Sequence, residues 1–215
     1  MRKRGAVLLL ACGMIVCMLT SGAQAAPSAV NQAVARNLAA SLRTNLQIAD
    51  QQPELAPLVN STYVLLDALE AALANKDVEA MRVAVEQYAE EVQAFQAQAE
   101  AIDLKCALPL VIGIAGKIPT LLGIVSGGGT PLCIFINLSN NVADILSTTL
   151  SYQICVVNGD NDTATDNATL VQQQQSYKVF GFTTAVLNLA LCKRPIAASD
   201  FISIFFEFIG LIPKK

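Results

Sequence analysis

The sequence predicts an all-α protein, a helical hairpin joined to a disulfide-linked apolar helical bundle. Through most of the chain, apolar residues recur every three or four positions, which is the helical period. Residues 106–159 carry only two charges, Lys117 and Asp144, so this stretch must enter a packed core or meet an apolar surface. Cys106, Cys133, Cys155 and Cys192 supply the even cysteine count that two bridges need.

The chain opens with Met1-Arg-Lys-Arg-Gly5, an apolar run from Ala6 to about Leu19, and the small-x-small site Ala23-Gln24-Ala25. That order predicts a signal peptide over residues 1–25 and a secreted or periplasmic protein. Cys12 and Cys17 leave with the signal, so four of the six cysteines remain. Arg2, Lys3 and Arg4 leave as well, three of the 14 basic residues, against 17 acidic ones, for a mature net charge of about −6. An acidic chain without a basic stripe is not expected to bind nucleic acid, because phosphates need clustered Lys and Arg.

Residues 26–105 read as helices rich in Ala, Gln and Glu. Val30, Val34, Leu38, Leu42 and Leu46 recur at i+4 and predict a first helix from about Ser28 to Ile48, broken by Gln51-Gln52-Pro53 and Pro57. Val59, Thr62, Leu66, Leu69 and Leu73 predict a second helix. Asn75-Lys76-Asp77 makes a turn, with Asp77 as N-cap of a third. That third helix carries Val78, Met81, Val85, Tyr88, Val92, Phe95, Ala99 and Ile102 in unbroken 3,4 alternation. Such spacing favours coiled-coil-like packing, and the short turn makes the second helix its antiparallel partner. The hairpin runs from about Ser61 to Lys105.

Residues 106–215 read as the apolar bundle. Leu108 to Val125 is helical but holds Pro109 and Pro119, and Pro119 is expected to kink or split it. Gly113, Gly116, Thr120 and Gly123 share one face, a smooth stripe open to close approach. After the loop 126–131 comes a long helix to Val157 with Phe135, Leu138, Val142, Ile145, Thr149, Tyr152 and Val156 on one seam. Its other face, Asn137, Asn140, Asn141, Asp144, Ser147 and Ser151, is expected to meet water. A polar loop over 158–167 then leads to a helix capped by Asp166 and running to Leu191, with Asn161 and Asn167 as glycosylation sequons in that loop. Ser199 caps a last helix, Asp200 to Leu211, which is expected either to be buried in the bundle or to lie in an interface, with Phe201, Ile204, Phe205, Phe208 and Ile209 as its candidate apolar surface.

Helix direction predicts the bridges. With the helices 108–125, 131–157 and 168–192 running up, down and up, Cys106 meets Cys155 at one end and Cys133 meets Cys192 at the other. Pairing requires Cα atoms within about 7 Å.

Several chemistries are excluded. The chain has no histidine, which removes Ser-His-Asp and Cys-His nucleophiles and His-ligated zinc. No Cys-x-x-Cys occurs. The Gly127–Gly129 loop is followed by no Lys or Arg until Lys178, so it is not a phosphate cradle. Asn158, Asp160, Asp162 and Asp166 resemble half a calcium loop, but Thr163 and Thr169 stand where Gly and Glu are needed. No cofactor, metal or catalytic residue is expected. The expected function is non-enzymatic: binding of a lipid or other apolar ligand, or of a membrane surface, through the C-terminal bundle. The rival reading is a protein partner held by the acidic hairpin 59–102.

Overall fold

The structure, a computed structural model, describes residues 27–49, 55–102, 104–127, 129–159 and 164–192. Among these, every regular element is α-helical: α1 Pro27–Ala49, α2 Ala56–Asn75, α3 Val78–Ile102, α4 Leu104–Ser126, α5 Pro131–Gly159 and α6 Ala164–Leu191. Residues 1–25, expected from sequence to be a signal peptide, and the C-terminal residues 193–215 lie outside the described residues.

The hairpin follows its sequence pattern. Val59, Thr62, Leu66, Leu69 and Leu73 of α2 are buried, as are Met81, Val85, Tyr88, Val92, Phe95 and Ala99 of α3. In the core the Thr62 hydroxyl donates to the Leu58 carbonyl at 2.8 Å, and its oxygen lies 3.3 Å from the Tyr88 phenol. Burial raises the Tyr88 pKa, so the ring stays neutral.

The turn is closed at both ends. The Lys76 N–H bonds to Leu73 O at 3.2 Å and the Asp77 N–H to Ala72 O at 2.8 Å, a Schellman arrangement. Asp77 Oδ1 then accepts from the Ala80 N–H at 2.9 Å and caps α3. Lys76 adopts φ 56°, the left-handed region where a Cβ is strained. Lys76→Gly is therefore expected to stabilise the protein by about 1 kcal/mol, read as a rise in the urea midpoint at unchanged slope.

Helix α5 is the hub, packing against α1, α2, α4 and α6. Because α1 and α2 reach it, the N-terminal region and the bundle share one continuous core. Two bridges pin its ends: Cys106–Cys155 joins it to α4 and Cys133–Cys192 to the end of α6, both with Cα atoms 5.6 Å apart. These are the pairs that the up-down-up order requires. The α4–α5 register is constant, since Cys106–Cys155, Gly113 against Thr148, and Lys117–Asp144 step oppositely along the two helices.

The expected water-facing side of α5 is only partly in water: Ser151 is exposed, while Asn137, Asn140, Asp144 and Ser147 are half-buried and Asn141 is buried. From Pro131 to Leu150 no α5 residue is exposed. The reason is that its polar groups find partners on neighbouring helices, which removes the cost of burying them. Asn188 of α6 donates to Asn137, and the Thr184 hydroxyl donates between Asn140 Oδ1 at 2.7 Å and Gly181 O at 2.8 Å. Gln174 donates to Ser151 Oγ, and Lys117 of α4 pairs with Asp144.

Other expectations are also corrected. Pro119 does not split α4, which runs unbroken to Ser126. Both Pro119 and Ala115, whose carbonyl loses its helical donor, are exposed, so water can satisfy that carbonyl. The polar loop is shorter than the composition implies. Helix α5 continues to Gly159 and α6 starts at Ala164, placing Asp166 and Asn167 in a first helical turn. The buried seam of α1 starts at Val34, leaving Val30 44% exposed.

Candidate apolar contact face

Helix α4 buries one side and bares the other. Cys106, Ala107, Leu110, Ile114, Ile118, Leu121 and Val125 point into the core at helical spacing. Gly113 lies on this side too: a Cβ there would come 2.7 Å from the Thr148 side chain, so only glycine allows the two helices so close. Two carbons held that near would clash, whereas ordinary contact lies at about 3.5–4.0 Å.

The opposite side is apolar and open. Leu108 is 55% exposed and Ile112 68%, and Pro109, Ala115, Gly116, Pro119, Thr120 and Gly123 are exposed with them. A Cβ built at Gly116 or Gly123 would meet nothing within 4 Å. Of the expected small-residue stripe, Gly116, Thr120 and Gly123 therefore stay open, while Gly113 belongs to the interface with α5. Thr120 adds little polarity, because its hydroxyl donates to the Gly116 carbonyl at 2.9 Å. Between Cys106 and Ser126 the one charged residue is Lys117, whose ammonium is held by Asp144 at the edge of the face.

By length and composition, Lys105–Ser126 is the one helix among the described residues that could cross a membrane, yet only 28% of its apolar window is buried. A core helix of a soluble bundle would be mostly covered.

The best-defined hollow among the described residues is about 10 Å³, lined by Leu55, Leu58, Val59, Leu146, Thr149, Leu150 and Tyr177. Room of that order suits one water, against about 300–1,000 Å³ for a small-molecule site.

The acidic hairpin keeps a negative balance, since two arginines meet four of its carboxylates. Arg82 is clasped by Glu79 and Glu86, and Arg43 of α1 reaches Asp67 and Glu70 of α2. Glu90, Glu91 and Glu100 are exposed on α3. Among the described residues no cluster of three or more His, Cys, Asp or Glu could hold a metal. Phe201, Ile204, Phe205, Phe208 and Ile209 lie outside the described residues.

In the sequence, this region stands out by the charge-poor stretch 106–159 and the small-residue stripe of Gly113, Gly116, Thr120 and Gly123. Neither feature singles out Leu108 and Ile112; the signal available was their position opposite the Leu110, Ile114 and Leu121 seam. No family model, curated protein or solved structure matches the chain.

Proposed function

We propose that this is an exported, non-enzymatic protein that binds an apolar surface through the open face of α4. The observation carrying this reading is a charge-poor helix of 22 residues, 28% buried over its apolar window, with Ile112 68% exposed. Open apolar faces of this kind mark contact sites for membranes, lipids or proteins.

A membrane surface suits the geometry. Helix α4 is held along one side by α5 and bridged to it at Cys106, so it can lie in an interface without leaving the bundle. Burying Leu108 and Ile112 contributes about 1.5–3 kcal/mol each at full burial. The acidic mature chain gains nothing from anionic headgroups, so uncharged lipid is the preferred surface. The basic and then apolar N-terminal segment and the two bridges support export to an oxidising compartment.

The test is flotation of the mature protein with phosphatidylcholine vesicles. The protein is expected to rise with the lipid, and as well at high salt as at low salt. Protein that stays at the bottom at every lipid concentration would remove membrane contact as the function.

A further inference from the structure

We propose that the open face of α4 selects loosely packed, strongly curved bilayers of uncharged lipid over flat and tightly packed ones. This selectivity rests on reading the face as the lipid-contacting surface.

The face is uneven along its length. Leu108 and Ile112 lie four residues apart, so they stand together on one side of the helix, 55% and 68% exposed. Among the described residues, no other two large exposed hydrophobics share a helix so closely. Beyond Ile112 the exposed positions on α4 are Ala115, Gly116, Pro119, Thr120, Gly123 and Ser126, all small or compact. At Gly116 and Gly123 even a Cβ would meet nothing within 4 Å. The face is therefore thick at its Leu108 end and thin over the distance from Ile112 to Gly123, about 16 Å.

Neither charge nor folding adds to what those two side chains supply. Interfacial binding scales with the apolar area buried plus the attraction between basic residues and anionic lipid. Between Cys106 and Ser126 the one cation is Lys117, and Asp144 already holds it. Helix α4 is formed before it meets lipid, packed on α3 and α5 and bridged at Cys106–Cys155. Contact with lipid thus gains nothing from helix formation.

Insertion then draws on Leu108 and Ile112 alone. Both must enter between headgroups. In a flat, well-packed leaflet that opening has to be made, whereas a strongly curved leaflet already offers gaps. Interfacial binding is sensitive to curvature for this reason. With so little apolar area inserted and no electrostatic attraction, the cost of the opening decides which bilayer is bound.

Flotation of the mature protein with a single phosphatidylcholine, as small sonicated vesicles and as large extruded ones at equal lipid, measures the selectivity. The protein is expected to bind the small vesicles severalfold more tightly. Equal affinity for the two sizes overturns the selectivity and leaves lipid contact standing. Binding to neither removes lipid contact and the selectivity with it, and leaves the face to a protein partner. A variant locates the cause. Gly116→Leu with Gly123→Leu fills the thin end, where nothing obstructs a side chain. With helical content and both disulfides as in the parent, this variant is expected to bind large vesicles about as tightly as small ones. A preference for small vesicles that persists undiminished in it overturns the proposal.

Discussion

Removing one disulfide, by Cys106→Ser with Cys155→Ser or by Cys133→Ser with Cys192→Ser, is expected to lower stability by about 4 kcal/mol. The bridges close loops with sequence separations of 49 and 59 residues, and losing either frees that loop in the unfolded chain. Both span Cα distances of 5.6 Å, within the range a disulfide tolerates without moving the backbone. The loops overlap between residues 133 and 155, so removing both should cost less than twice the single loss. Urea unfolding of the oxidised, singly bridged and reduced proteins measures this directly. A loss below about 1 kcal/mol for each would mean the unfolded chain is already constrained without its bridges.

Phe135→Ala should have a comparable effect, about 3–5 kcal/mol. Phe135 is fully buried on α5, the helix that touches α1, α2, α4 and α6. A cavity there withdraws contacts from the centre of the shared core, and helices pinned at both ends by disulfides have little freedom to close it. Val64→Ala is the control. Val64 is 65% exposed on α2 and its loss should stay within about 0.5 kcal/mol. Near-equal losses for the two variants would mean that α5 is not the centre of the core.

Apolar periodicity made the hairpin readable because each side chain in its 3,4 pattern faces the same neighbour. Thus Val85, Tyr88, Val92 and Phe95 are buried where the alternation puts them. The bridges were readable for a related reason: short connections force antiparallel order, and antiparallel order brings Cys106 to Cys155. The polar side of α5 was not readable. Ser151 is exposed as its polarity suggests, but Asn137 and Asn140 look equally solvated only because their partners Asn188 and Thr184 lie on another helix, tens of residues away in the chain. Polarity in sequence says that a group needs a partner, not whether that partner is water. The contact face was half readable. Composition marks residues 106–159 as charge-poor, but only packing shows which side of 108–125 stays bare.

If the bare side of α4 is the working surface, a charge placed on it should weaken lipid contact where the same charge elsewhere does not. Ile112→Glu and Val64→Glu place the same charge on exposed apolar positions, one on the α4 face and one on α2. Both variants should fold as the parent does, since neither position is core. In flotation with phosphatidylcholine vesicles, Val64→Glu is predicted to bind like the parent and Ile112→Glu to lose at least about tenfold in affinity, the equivalent of about 1.4 kcal/mol. Equal binding by the two variants would contradict the account.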